Sequence, residues 1–229
     1  MPGRTDEAIA RLRGLIVSGE LRPGSRLPAE RDLCNLLGMS RGMVREAVKA
    51  LEVARVLDVR RGDGTYVTSL EPQLLLQGIG FAVQLLQDDD LADVMHVRRV
   101  LEAEATALAA ANADADLLSE LSLILDAMRA SLTEQEKLTA QDAAFHDRVA
   151  AASRNPTLST LLNGLSGKTL RARIWRGVNE AGSADLTLQQ HEAIYAAIEA
   201  RDVEGARAAS VVHVATSERW LRTLLHPES

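Results

Sequence analysis

Aromatic residues make up only 3% of the 229-residue chain, and there is a single cysteine. Few large rings argue against a β-rich core, because strands favour aromatic and β-branched side chains. One cysteine, Cys34, excludes an intrachain disulfide and makes a reducing cytoplasm the expected location. The longest apolar runs fall short of a membrane span, and the first residues, Met1 to Ala10, lack the apolar core of a signal peptide. Alanine and leucine dominate instead, and both lose little freedom in a helix.

The net charge of −6 argues against a nucleic-acid partner if taken as a whole. Its distribution argues the other way. Residues 1–69 hold 12 basic and 9 acidic residues, a net of +3, whereas the remainder holds 14 basic and 23 acidic, a net of −9. Binding to DNA depends on a local basic face. The division expected is therefore a basic module over 1–69 carried by an acidic body over 70–229.

The amino-terminal pattern is helix, turn, helix, turn, helix, hairpin. Thr5 is placed to cap a helix running to about Ser18, with Ile9, Leu12, Leu15 and Ile16 on one stripe. Pro23-Gly24 marks a turn, Pro28 opens a second helix, and Gly38 ends it. Ser40 caps a third helix with Val44, Val48 and Leu51 on its apolar face. Val56 to Val59 and Thr65 to Val67 flank Arg60-Arg61-Gly62-Asp63-Gly64, a hairpin signal. This is the plan of a winged helix-turn-helix.

Such a module reads DNA by laying a helix in the major groove with its amino-terminal side chains at base edges. Arg41 and Arg45 share a face at the start of the third helix, Ser40 can bond a phosphate, and Arg31 lies on the second. Arg61 and Gly62 at the hairpin tip suit a minor groove: glycine permits close approach and arginine a narrow slot. Arginines in pairs are often no more than a solvated face, and Arg60-Arg61 can be edge-strand charge. The order of elements within 70 residues favours DNA.

Residues Leu21 to Val67 resemble the DNA-binding domain of the GntR family of bacterial regulators. The matching pieces are Arg22-Pro23-Gly24, Leu27-Pro28-Ala29-Glu30-Arg31, Ser40-Arg41, Val44-Arg45-Glu46-Ala47 and Gly62-Asp63-Gly64-Thr65-Tyr66-Val67. The resemblance implies DNA contacts by Arg31, Ser40, Arg41, Gly42, Arg45, Arg61 and Gly62, and a homodimer on a short palindromic operator. Gly42-Met43 stand where the family has threonine with proline or a second threonine, and Asp63 stands where a basic wing residue would help, which leaves the operator sequence open. Arg55 stands where the family has glycine.

Ser69 to Gln73 reads as a linker, followed by helices expected at about 73–87, 91–112, 115–132, 134–153, 157–178, 186–200 and 203–225. Asp90, Asp114 and Asp202 are cap candidates, Thr133 with Glu136 fits a capping box, and Asn155-Pro156 separates two helices. Asp142 and His146 are four apart on one of these helices, with His191 and His213 on the last two. An antiparallel bundle can gather three such helices around one point. Three imidazoles and a carboxylate suit zinc, with nickel, cobalt or manganese as alternatives. Each histidine alone is as readily a packing residue, and an Asp-His pair at this spacing as readily a surface hydrogen bond.

Residues 74 to about 224 resemble the ligand-binding domain of the FadR-type branch of the family, the helical bundle called FCD. The residues that carry this are Asp142-Ala143-Ala144-Phe145-His146, Gln190-His191-Glu192, Val212-His213, Arg98-Arg99-Val100-Leu101-Glu102 and Ser153-Arg154-Asn155-Pro156. It implies a six- or seven-helix bundle, a metal on Asp142, His146, His191 and His213, and Arg98 facing a small organic acid. Metal and arginine together would neutralise a carboxylate in a low-dielectric cavity. The function expected is a ligand-responsive repressor, cytoplasmic and on the nucleoid when bound to its operator. A metal-dependent hydrolase that activates water, and an architectural DNA-binding dimer, are the alternatives. Trp175 and Trp220 are expected to pack; His96 and His226 have no assigned part.

Overall fold

Eleven helices and one hairpin are present among the described residues, 3–87, 90–180 and 182–225, of a computed structural model; the side chains at 168, 170–175, 178 and 225 also lie outside the description. Trp175 and His226 therefore fall outside it. The chain divides into two units, Met1–Gly78 and Ile79–Ser229.

The first unit is a winged helix-turn-helix. Helices α1 (Arg4–Val17), α2 (Glu30–Leu37) and α3 (Arg41–Val53) are followed by antiparallel strands β1 (Leu57–Arg60) and β2 (Gly64–Val67), paired from Leu57 with Val67 to Arg60 with Gly64. Each helix turns an i, i+3 or i, i+4 apolar stripe inward: Ala8 and Leu12, Leu33 and Leu37, Val44, Ala47 and Leu51. Leu57 and Val67 close this core from the hairpin, and Cys34 packs beside it. Helix α1 begins earlier than expected. Gly3 holds the cap position, its N–H donating to Asp6 at 2.8 Å, and Thr5 lies inside the helix. Arg55, which stands where the family has glycine, has left-handed backbone with φ of 59°.

The helix expected over 73–87 is two pieces, α4 (Pro72–Leu75) and α5 (Gln77–Leu85), with Leu76 between them in a turn. Gly78 and Gly80 weaken helix propensity here. Helices α5, α6 (Leu91–Ala111), α7 (Ala115–Ala130), α8 (Gln135–Ala152), α9 (Pro156–Asn179), α10 (Ser183–Glu199) and α11 (Val203–Leu225) form an all-α bundle. Asp114 caps α7 by accepting from the Leu117 N–H, Asn155 caps α9 through Leu158, and Asp202 accepts from Gly205. Asp90 accepts from Gln87 instead of capping α6. The Thr133–Glu136 box is not formed: a turn from Ser131 to Glu134 moves the start of α8 to Gln135. Leu117, Leu121, Leu125 and Met128 of α7 meet Leu138, Phe145 and Val149 of α8 and Leu188, Ile194 and Ile198 of α10. Helix α6 lies along α11, and its buried alanines permit close approach. Trp220 packs on Leu91, Ala92, Met95, Val214 and Leu221, as expected of a packing residue.

Candidate metal centre and DNA-reading surface

Phe145, fully buried in the core, fixes the rotation of α8 and so turns Asp142 and His146 toward α10 and α11. His191 comes from α10 and His213 from α11. One ligand atom from each of Asp142, His146, His191 and His213 lies within 4.8 Å of the others. His146 Nε2 is 3.1 Å from His213 Nε2, His191 Nε2 is 3.3 Å from Asp142 Oδ1, and His146 Nε2 is 3.6 Å from the same oxygen. Ligands bound at about 2.0–2.2 Å around a tetrahedral zinc stand about 3.3–3.6 Å apart. These three distances are close to that spacing.

The outward nitrogens decide what the inward ones can be. His191 Nδ1 is 2.8 Å from the Thr187 carbonyl, which can only accept. His213 Nδ1 is 3.1 Å from Gln190 Oε1, whose amide nitrogen in turn donates to Thr216. His146 Nδ1 is 2.9 Å from Glu102 Oε2. The Nδ1 atoms of His191 and His213 therefore carry the proton and their Nε2 atoms present lone pairs, while His146 lies against the Glu102 carboxylate. The lone pairs of His191 and His213, the His146 ring and the Asp142 carboxylate then face one another in a buried space. His191 Nε2 has no hydrogen-bond partner there. Such an arrangement repels itself unless a cation sits at its centre.

Proton affinities follow the same electrostatics. Burial and the imidazoles of His191 and His146 push His213 well below the ordinary histidine range, so it is neutral. Burial opposes charge on His146 too, but Glu102 and Asp142 outweigh it and raise that histidine. Burial alone would raise the Glu102 carboxyl; Arg98 and His146 beside it hold it well below the usual range. Without a metal, a proton on His146 is the positive charge these carboxylates attract.

Glu102 is the functional residue that sequence reasoning left without a role. It stood in the quoted Arg98–Glu102 segment, but nothing in the pattern linked it to a histidine on another helix. Arg98, 2% exposed, donates from Nε to Glu102 and from Nη1 to Thr169 at 2.8 Å. The chain Thr169–Arg98–Glu102–His146 thus runs from α9 through α6 to the cluster on α8. The structure places Arg98 in this chain and not on the wall of the cavity beside the cluster. His96, half-exposed between Arg99 and Glu218, takes no part.

On the first unit, Ser40, Arg41, Gly42 and Arg45 lie exposed at the start of α3, opposite its buried Val44, Ala47 and Leu51. Ser40 occupies the cap position, but its side chain makes no capping hydrogen bond. Arg45 Nε pairs with Glu30 at 2.6 Å, and Arg31 with Asp32 at 3.3 Å. Arg41 and Arg61 form no ion pair among the described residues. Gly62, φ 78°, makes the left-handed turn at the hairpin tip. Arg26, which the motif did not single out, donates to the Asp63 carbonyl from beneath the hairpin. A Cβ at Gly64 would stand 2.5 Å from Arg26 Nε, so only glycine leaves it that space. Arg60 is spent inside the hairpin, paired with Asp58 and stacked 4.2 Å over the Tyr66 ring.

Comparison with known proteins agrees with both halves. The galactonate operon transcriptional repressor of Escherichia coli (strain K12) is 28% identical over 226 residues, spanning 96% of this chain and 98% of that protein. The HTH-type transcriptional regulator LutR of Bacillus subtilis (strain 168) is 31% identical over 209 residues, 89% of this chain and 94% of its own. A solved structure of Streptococcus agalactiae GntR is 26% identical with a TM-score of 0.63, covering 94% of this chain and 99% of that one. Regulators, not enzymes, populate this set, which sets the hydrolase alternative aside. The profile for bacterial regulatory proteins of the gntR family matches residues 4–67 and that of the FCD domain residues 93–216; the chain is a DNA-binding transcription regulator of the GntR family with an FCD domain.

Proposed function

We propose that the chain is a metal-dependent repressor, acting as a homodimer on a short palindromic operator and released by a small organic acid. The observation that carries the metal is the convergence of three Nε2 atoms and Asp142 in a buried space, with the Nδ1 atoms of His191 and His213 held by acceptors and that of His146 beside Glu102. A divalent ion there, zinc foremost, would bind through Asp142, His146, His191 and His213 and act as a Lewis acid toward a carboxylate. Four protein ligands leave coordination positions for a carboxylate and an adjacent hydroxyl in a five- or six-coordinate ion. Arg98 holds Glu102, which lies beside His146. The names of the relatives, a galactonate repressor and a regulator of a lactate dehydrogenase operon, favour hydroxy acids as the class. Exposed Phe81 and Leu85 on α5, and Val97 and Val100 on α6, favour a protein partner for the bundle, which a second copy supplies. Acid bound at the ion would repack α8, α10 and α11, and the dimer's two DNA-reading units would no longer match the operator spacing.

The test is an operator titration of protein analysed for metal. One divalent ion per chain is expected, lost in His191→Ala. Hydroxy acids are expected to weaken operator binding, and a chelator to abolish that response. Arg45→Ala is expected to weaken operator binding by about 1–3 kcal/mol and to leave metal content and acid binding intact. Metal-free protein with an undiminished acid response overturns the reading, as does Arg45→Ala abolishing both activities.

A further inference from the structure

We infer that Arg176 is the second anchor of the effector site, and that the effector is an acid bearing oxygen at both ends. The inference rests on the carboxylate-sensing reading above and extends it to the far end of the ligand. A cavity of about 30 Å³ adjoins the histidine cluster. Asp142 and His213 of the cluster line it, and so do Arg176, Ser217, Thr139 and Thr187. Arg176 is 4% exposed. Its Nε is bound by Glu180 and its Nη1 donates to Ser217 Oγ at 3.1 Å. Its Nη2 is buried and has no partner.

A guanidinium N–H taken out of water and left unbonded is unfavourable, and more so on a cation. The rest of the arginine is held on both sides, so this donor is fixed in place. It is therefore prepared for an acceptor that arrives later. Ser217, Thr139 and Thr187 put hydroxyls near it, among apolar surface that includes Leu138 and Ala184. Ser217 accepts from Arg176 and keeps a proton to donate, and Thr139 is positioned by its own backbone bond to the Gln135 carbonyl. An alkyl tail in this cavity would leave the free protons of Arg176 and Ser217 unpaired; a hydroxyl or a second carboxylate would satisfy them. The volume admits little more than a water or two. A ligand longer than its metal-bound head must therefore press against the wall formed by Arg176 on α9 and Ser217 on α11. Tail recognition and helix displacement become one event.

The test uses three α-hydroxy acids with the same head and different tails: lactate with a methyl, malate with a second carboxylate, gluconate with a polyhydroxyl chain. Binding is measured by calorimetry on the metal-loaded, full-length protein. At least one of malate and gluconate is expected to bind tenfold or more tighter than lactate. In Arg176→Met, of similar shape and no charge, that ratio collapses toward one while the ion is retained. Equal binding of all three acids, or a ratio that survives Arg176→Met, overturns the inference and leaves the metal-held head intact. Failure of every acid to bind metal-loaded protein sinks the sensing reading itself, and this extension with it. Should Arg176→Met not fold, Ser217→Ala tests the same point: it frees Nη1, and the ratio is expected to fall severalfold; an unchanged ratio counts against Arg176.

Discussion

At the scale of single residues, the bundle's polar interior is organised around orienting three imidazoles toward one point. Thr187, Gln190 and Glu102 each hold the outer nitrogen of one histidine. Only Glu102 among them is charged, so it does the most to raise ligand basicity. Replacing it by glutamine keeps an oxygen of similar shape and removes the charge. Glu102→Gln is expected to weaken metal binding about 10- to 100-fold, measured by competition with a chromophoric chelator. An unchanged affinity would show that His146 is oriented by packing alone. On the DNA-reading unit the corresponding device is Glu30, which holds Arg45 in one direction at the start of α3. Both groups are exposed, so the pair adds little stability and yields readily to a base or phosphate.

Among elements, regular structure was largely legible because its signals are local. Leu117, Leu121, Leu125 and Met128 give α7 a clear apolar stripe, and Asn155-Pro156 starts α9 with both a cap and a fixed φ. The errors fell where competing local bonds decide the outcome: Asp6 against Thr5 at α1, Glu134 against Thr133 at α8, and the turn at Leu76. The meeting of Asp142, His146, His191 and His213 was legible because all four are of metal-binding type. Glu102 and Arg176 were not, because their meaning depends on which helices meet, and helix periodicity does not specify neighbours. One element boundary carries a measurable strain. Arg55, exposed and two residues past the end of α3, stands at φ 59°. Arg55→Gly is expected to stabilise the first unit by about 1 kcal/mol, seen as a higher denaturation midpoint. No gain, or a loss, would mean that the guanidinium offsets the strain.

For the whole molecule, two units with separate cores imply two separable responses. Leu12, Leu33, Val44 and Leu57 belong to one core, and Leu121, Phe145 and Ile194 to another. The proposed ion touches the second unit alone, through helices α8, α10 and α11. An ion that binds only the folded bundle stabilises it by about 2.7 kcal/mol at one hundred times its dissociation constant. For a unit of this length each kcal/mol moves the midpoint by roughly 2–4 °C. Chelation is therefore expected to lower the bundle's thermal transition by several degrees. The transition of the helix-turn-helix unit, followed through Tyr66 in its hairpin, is expected to stay where it was. Readdition of zinc should restore the upper value. If both transitions fall together, the units share one cooperative fold and the ion stabilises the chain as a whole. If neither moves, the four converging ligands hold no ion in solution, and the electrostatic case made from their lone pairs is wrong.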